Sequence, residues 1–598
     1  MKAFTEPLLS LAGFEEMTKT AEKSSGLISV TGCIDAQKSQ MIYAFGGHRK
    51  NKLIVTFGEQ KAKELYDEYS FFDKEVVYYP SKDVLFYQSD IRGNLLTAER
   101  IRALKAIREQ ERVTLVTTFD ALMNTMAPIE KMWENVLTLE LGQLLDLKEI
   151  QAALIRMGYE KEYQVQTMGQ FSVRGGILDV FPLTEENPIR IELWGDEIDT
   201  IRYFDCESQK SIENTDRVSI YPAAELVLSD EEKAGGIEKL KAEAKRVSDK
   251  LRKQMKTEEA HRVTVMADEL TEEWGELSMY AGMDAFLSYF FDERVGLLDY
   301  FNPSDSLIFF DELTRCAEQG KLTETEFSES MKQRLAMGYI LPGQMNGLFT
   351  EKEIVAKLEK YSCIALGALD NKANGLHQLG SYGIHCQSVS PYNNSFELLI
   401  KDLKRYKKNG YRVILLSGSR TRAKRLSEDI TDQGITCFYT ENYDHELFEG
   451  QIMVCYGKVR RGFEYPILKF AVITESDIFG AQQKKKKRHR TYEGEKIQSF
   501  TDLSVGDYVV HENHGLGIYR GIEKLEVDKK VKDYIKIEYQ GGSNLYILAT
   551  QLDMIQKYAG KDARKPKLNK LGGQEWTRTK NRVRGAVKQI AGDLVKLY

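Results

Sequence analysis

Residues 169–205 read GQFSVRGGILDVFPLTEENPIRIELWGDEIDTIRYFD, and their pattern decides how the whole chain divides. Phe171–Val173 is strand-like and runs into Gly175-Gly176, a pair able to adopt the positive φ of a tight hairpin turn. Ile177–Phe181 runs back, and Pro182 to Pro188 makes a polar loop. Ile189–Trp194 then alternates, with Ile189, Ile191 and Leu193 on one face and Arg190, Glu192 and Trp194 on the other. If the first three meet a core, an indole and a guanidinium stand side by side in water. Trp and Arg are among the types most enriched at interface hot spots. On the alternative reading, Trp194 covers a sheet edge and Arg190 solvates it.

The rest of the composition sets limits. A chain of 598 residues holds about four domains, because single cores stop growing near 250–300 residues. Its hydrophobic content of 42% and charged content of 29% are ordinary for a globular protein. A net charge of -6 restricts any nucleic-acid contact to a local patch. Cys33, Cys206, Cys316, Cys363, Cys386, Cys437 and Cys455 form no C-x-x-C pair, which fits reduced thiols in a cytoplasmic protein rather than zinc or disulfides. No apolar run reaches the roughly 18–20 residues of a membrane span. Glu6, Glu15 and Glu16 interrupt what a signal peptide would keep apolar.

Towards the N-terminus, Leu27–Thr31 reads as a buried strand and Gln40–Phe45 as the opening of a helix. Between them lie Gly32, Cys33, Ile34, Asp35, Ala36, Gln37, Lys38 and Ser39. A phosphate loop, G-x-x-x-x-G-K-[ST], needs its second glycine so that backbone N–H groups can approach the phosphates. Gln37 stands at that position while Lys38 and Ser39 are kept, so the loop is read as degenerate. Strand-like Lys52–Phe57, Val76–Tyr79 and Val113–Thr118 alternate with helical Ala62–Tyr69 and Leu95–Gln110, the pattern of an α/β sheet. Leu307–Glu312 (LIFFDE) supplies the matching Mg²⁺-site strand of helicase-like ATPases, with Asp311 and Glu312 intact. That pair reads either as an exposed strand end or as a residue of metal affinity. Its distance along the chain implies that 169–205 is inserted into one sheet-building lobe.

Asp230–Lys256 and Glu269–Phe290 are charged and helical, and complete that lobe. From about 350 to 478 a smaller α/β unit follows: helix Leu398–Lys408, strand Tyr411–Leu416, the turn Ser417-Gly418-Ser419, helix Arg420–Ile430, then strands Gln451–Tyr456 and Phe470–Thr474. The turn and basic helix offer either a phosphate site or a solvated face. Lys484–Arg490 is a charge run, read as a linker, with a salt-sensitive DNA contact as the alternative. After Leu503 the texture changes to short alternating strands. Gly517–Glu526, Asp533–Tyr539 and Leu545–Leu548 should curl into an SH3-like or Tudor-like barrel. His511 and His514 lack companion ligands, which favours loop hydrogen bonding over metal. Trp576–Tyr598 is an amphipathic helix with Val583, Val587, Ile590, Leu594 and Leu597 on one stripe.

The run F-S-V-R-G-G-I-L-D-V-F-P with I-R-I-E-L-W-G-D-E-I-D resembles the adaptor domain shared by UvrB and transcription-repair coupling factors. G-D-Y-V-V-H-E-N-H-G-L-G-I-Y-R-G-I resembles the RNA-polymerase-interaction domain of coupling factors and the CarD family. UvrB proper has an intact phosphate loop and an aromatic hairpin, and neither is found after Tyr78-Tyr79-Pro80, so the coupling factors are the nearer match. The resemblance implies an α/β multidomain chain. Residues 1–135 and 223–345 form a degenerate helicase-like (RecA-like) lobe, 136–222 a mostly-β UvrA-interacting domain, and 346–480 a small α/β domain. Then follow a basic linker (481–500), the polymerase-interaction barrel (501–560), and a linker and helix (561–598) leading to a translocase motor not in this sequence. It further implies UvrA binding at Arg174, Arg190 and Trp194. The β subunit of RNA polymerase would add to an edge strand at Ile522–Val527, with Leu525 as anchor beside Ile522 and Val527. No catalytic or metal residue and no cofactor are expected in this chain; ATP, Mg²⁺ and most DNA contact belong to the motor. A docking face masked by C-terminal elements in the longer protein should be open here. The competing expectation is an ATP-dependent UvrB-like repair enzyme.

Overall fold

The computed structural model describes residues 1–45, 49–82, 94–206, 208–276, 283–369, 375–480, 494–496, 505–511, 515–527, 530–548, 555–558 and 568–569. It is a mixed α/β protein with one wholly parallel sheet and several further β sheets. Four early strands are β1 Gly26–Thr31, β2 Asn51–Thr56, β3 Val77–Tyr79 and β4 Val113–Thr118. Eight follow in a continuous block: β5 Leu137–Glu140, β6 Glu160–Lys161, β7 Gln170–Arg174, β8 Ile177–Val180, β9 Ile189–Trp194, β10 Glu197–Phe204, β11 Ser211–Asn214 and β12 Arg217–Ile220. Three more, β13 Ser306–Asp311, β14 Ser362–Leu366 and β15 Gln378–Gly383, return to the first sheet, whose order is β15-β1-β14-β13-β2-β4-β3.

The parallel sheet is apolar along each central strand because both of its faces are covered. Ile28, Val30, Ile54, Phe309 and Ile364 enter one core, while Leu27, Leu53, Val55, Ile308, Phe310 and Cys363 enter the other. The strands β6 to β11 form one sheet in simple sequence order, and an isolated bridge ties Leu144 to Glu197 of β10. The core of this sheet holds Phe171, Leu178, Val180, Ile189, Ile191, Ile198 and Ile201, together with Leu154 and Met157 from the helix Leu147–Arg156 and its C-cap. β5 and β12, where the chain enters and leaves this block, pair antiparallel.

β16 Gln387–Ser388, β17 Arg412–Ser417, β18 Phe438–Tyr439, β19 Ile452–Tyr456, β20 Phe463–Tyr465 and β21 Phe470–Thr474 form a second α/β sheet in the order β16-β20-β21-β17-β19-β18. One of its faces (Val413, Leu415, Ile452, Val454) packs on helices Phe396–Lys408 and Arg420–Asp432. The other (Ile414, Leu416, Met453, Cys455, Val472) joins the core of the first sheet, with Phe4 and Met41 between. The expected start of a separate unit at 346 is thus corrected: β14 and β15 pair with β1 in the first sheet, and the two sheets share one apolar core. The helical character expected for Glu269–Phe290 is found in its described residues, divided between the end of one long helix and the short helical turns Met283–Phe286 and Leu287–Phe290. The long helix runs Thr257–Glu276 and packs antiparallel on Asp230–Lys253, burying Trp274 completely.

The last sheet is β22 Gly494–Lys496, β23 Tyr508–His511, β24 Gly515–Val527, β25 Lys530–Glu538, β26 Asn544–Leu548 and β27 Ile555–Tyr558, ordered β22-β27-β23-β24-β25-β26. Ile535, Ile537 and Tyr539 are fully buried on one face with Val509, Tyr519 and Ile555. The basic run 484–490, His514 and the helix expected at 576–598 lie outside the described residues.

Candidate docking faces and a closed phosphate loop

On the outer face of the β6–β11 sheet, strand register assembles a small charged array. The two-residue turn Gly175-Gly176 closes Arg174 against Ile177, with the positive φ (+61°) at Gly175. Asp179 then lies directly opposite Arg190 on β9, and Arg190 opposite Arg202 on β10. Asp179 is a carboxylate only 1% exposed. Its Oδ1 accepts from Arg190 Nε at 2.7 Å and its Oδ2 from Arg190 Nη2 at 2.8 Å and Arg174 Nη2 at 3.0 Å. Arg190 is also stacked over the Phe204 ring at 4.4 Å and donates to Gln209 Oε1 at 2.9 Å. A bidentate, stacked guanidinium of this kind is a fixed group. Asp179 raises the Arg190 pKa against the opposing effect of burial. Arg202 is held in turn by Glu192. Trp194, last on the strand and followed by Gly195, is 84% exposed.

The structure therefore brings Arg174 and Arg190 together on one buried carboxylate and leaves Trp194 free on the same face. Asp179 is the residue that reading the sequence missed. Its signal was a lone charge between Leu178 and Val180, both fully buried.

The phosphate loop is closed in three ways. First, the helix expected from Gln40 begins at Asp35, so only 32–34 remain as loop and Gln37 is helical, with no positive φ to strain. Second, the start of the loop is tied down by the chain itself, with Gly32 N–H donating to Ala368 O at 3.2 Å and Cys33 N–H to Gly367 O at 3.0 Å. Gly32 has φ +78°, and a Cβ there would lie 2.1 Å from the Ile384 carbonyl oxygen. Third, Lys38 is 1% exposed and donates to Asp311 Oδ1 at 2.5 Å, Asp35 Oδ1 at 3.0 Å and Glu312 Oε1 at 3.1 Å. Burial works against its charge, but the three carboxylates outweigh that and raise its pKa. Thr56 completes the Asp311 shell at 3.1 Å.

Of the two readings of Asp311 and Glu312, the exposed strand end does not hold for Asp311, which is 2% exposed and salt-bridged. Nor does the loop fit a triphosphate with Gln37 in place of its second glycine and its lysine engaged by three carboxylates. Gln37 and Ser39 are buried with no hydrogen-bond partner for the amide atoms or the hydroxyl, and burial pushes the pKa of the neighbouring Cys33 up to about 12.

The second candidate phosphate position is filled by the chain itself. Glu475 Oε2 accepts from Gly418 N–H at 2.6 Å and from Ser417 Oγ at 2.9 Å, and its Oε1 pairs with Arg422. A carboxylate thus sits at the N-terminus of the helix Arg420–Asp432, where an anion is favoured. Burial works against this carboxylate's charge, but Gly418, Ser417 and Arg422 prevail and hold its pKa below the ordinary 4.5. A group with a depressed folded-state pKa contributes stability above its unfolded pKa and loses it as pH falls through the folded value. Wild type should accordingly be more stable than Glu475→Gln at pH 7, with the gap closing in denaturant titrations taken down to pH 3. A gap independent of pH would show that the carboxylate carries no such role.

His511, expected in a loop, is a buried residue of β23. No group of His, Cys, Asp and Glu fit to hold a metal is present among the described residues. β24 pairs with β25 from Ile518 to Val527, but with β23 only from Gly515 to Ile518 in the strand register. A bulge at Arg520 interrupts the β24–β25 ladder just beyond the last β23 pair. Ile522–Val527 therefore has one side of its backbone bonded to β25 and, among the described residues, no strand on the other.

Two recognisable modules coincide with these faces. Residues 137–226 match the family described as UvrB interaction domain, and residues 503–559 match the CarD-like/TRCF RID domain. Over 548 residues the chain is 32% identical to the transcription-repair-coupling factor of Bacillus subtilis (strain 168), covering 91% of this chain and 46% of that protein. It is 31% identical over 583 residues to that of Staphylococcus haemolyticus (strain JCSC1435), covering 96% and 48%. With that of Staphylococcus aureus (strain USA300) it shares 29% identity over 600 residues, 98% of this chain and 49% of the other. The chain is a homologue of transcription-repair-coupling factors along nearly its whole length, and spans about half the length of the curated relatives it matches.

Proposed function

We propose that this chain is a scaffold for transcription-coupled DNA repair, gripping stalled RNA polymerase through one module and recruiting UvrA through another. The observation that carries this reading is the pairing of two docking modules with a phosphate loop closed by its own lysine. In this account the parallel sheet is a RecA-like lobe that has lost its fuel site, and the last sheet is an SH3-like or Tudor-like barrel. UvrA docks on Arg174, Arg190 and Trp194. The β subunit of RNA polymerase adds a strand at Ile522–Val527 by β-augmentation. ATP, Mg²⁺ and duplex DNA are handled by a motor outside these residues. The site of action is the cytoplasm; no helix of the described residues is long and apolar enough to cross a membrane. The UvrB-like enzyme is the weaker reading because it needs the Lys38 ammonium that Asp311 holds.

The polymerase arm is tested by Leu525→Arg, which places a charge on the β24 segment proposed to dock the polymerase. The expected result is loss of polymerase capture with an unchanged melting temperature. Retained capture would remove this edge from the interface.

A further inference from the structure

Beside the arginine pair stands an aromatic that the docking account has not used. Tyr163, between β6 and β7, is 83% exposed, about as much as Trp194. Its backbone is nonetheless fixed: its carbonyl accepts Ser172 Oγ at 2.7 Å, and the neighbouring Glu162 N–H donates to Phe171 O at 2.8 Å. Ser172 lies directly opposite Asp179. The guanidinium of Arg174 sits over the Tyr163 ring at 5.9 Å from its centroid, within reach of a cation–π contact. From one edge to the other, this face presents Tyr163, Arg174, the buried Asp179, Arg190 and, past Glu192, Trp194. Two exposed aromatics thus flank a fixed guanidinium pair.

Three guanidinium groups of this array, Arg174, Arg190 and Arg202, are ion-paired with two carboxylates, Asp179 and Glu192, and Glu197 stands at its rim opposite Trp194. Arg174 is the most open of the three at 37% side-chain exposure, against 13% for Arg190 and 24% for Arg202. It uses Nη2 on Asp179, and a guanidinium has five N–H donors in all.

We propose that Tyr163 is a second aromatic anchor of the UvrA-docking face, and that the partner seats a carboxylate on Arg174 between Tyr163 and Trp194. This rests on the reading of that face as the UvrA site. An aromatic rim around a charged pair excludes water from it and strengthens the pairing. Stacking also holds the Arg174 fork in place before the partner arrives.

The test is a titration of the full chain against purified UvrA at several salt concentrations, with Tyr163→Ala, Tyr163→Phe, Arg174→Gln and Trp194→Ala compared. Tyr163→Ala should weaken binding about tenfold, as an anchor does, at an unchanged melting temperature, and Tyr163→Phe should restore it. Arg174→Gln should weaken binding and also flatten its dependence on salt, because an ion pair is removed. If Trp194→Ala and Arg174→Gln weaken binding while Tyr163→Ala does not, the second anchor is wrong and the docking face stands. Weakening by Arg174→Gln with the wild-type salt dependence would overturn the partner carboxylate. If no variant changes affinity, the docking face itself is wrong and the inference falls with it.

Discussion

Replacing Lys38 with Ala will destabilise the first α/β sheet by about 3–5 kcal/mol, the cost of stranding a buried charge once its partner is gone. The charge left behind is Asp311, 1% exposed in its side chain and held otherwise by Thr56. Urea unfolding is the measurement. The double variant Lys38→Ala/Asp311→Asn should recover most of the loss, since the carboxylate that needed compensation is then neutral. A lysine kept for nucleotide behaves differently: its removal abolishes binding and leaves stability near wild type. Unfolding curves that overlay those of the wild type would show that the lock described here is not structural.

The second large effect concerns the adaptor face. Trp194→Ala and Arg190→Ala should each weaken UvrA binding by about 2 kcal/mol, yet they should part company in stability. Trp194 is mostly in solvent and its ring holds nothing up, so its loss leaves the melting temperature in place. Arg190 supplies two of the three guanidinium bonds to buried Asp179. Its loss should therefore also lower stability by about 3 kcal/mol. Calorimetric binding and thermal melts on the same two variants separate the roles. Equal destabilisation by both would mean that Trp194 packs against something the structure does not place there.

Much of this was legible in the residues, and what was not has identifiable causes. β9 came through whole, because Ile189, Ile191 and Leu193 alternate with polar neighbours over six residues and a period of two cannot be mistaken for a helix. The degeneracy of the loop was visible in Gln37. Its mechanism was not, since Lys38 meets Asp311 across 273 positions and no local pattern reports a contact of that length. The early start of the helix at Asp35 was hidden because the glycine-led motif reads as loop up to its lysine. Asp179 was seen as one letter of a motif. Only the register that sets it opposite Arg190 shows that it binds two arginines. β14 and β15 were assigned to the later unit by position in the chain. A parallel sheet joins distant segments through crossovers, so proximity in sequence misleads there. Glu475 at the helix N-terminus belongs to the same class: the turn and helix announced an anion site, and the anion came from 57 residues away.

The central proposal is that a chain whose phosphate loop is closed by Lys38 serves to hold partners. Titrating this chain with purified UvrA in nucleotide-free buffer tests that most directly. Saturable one-to-one binding, undiminished by leaving out ATP and weakened by Trp194→Ala, is the predicted result. Binding that appears only when ATP is added, or none at any concentration, would contradict it.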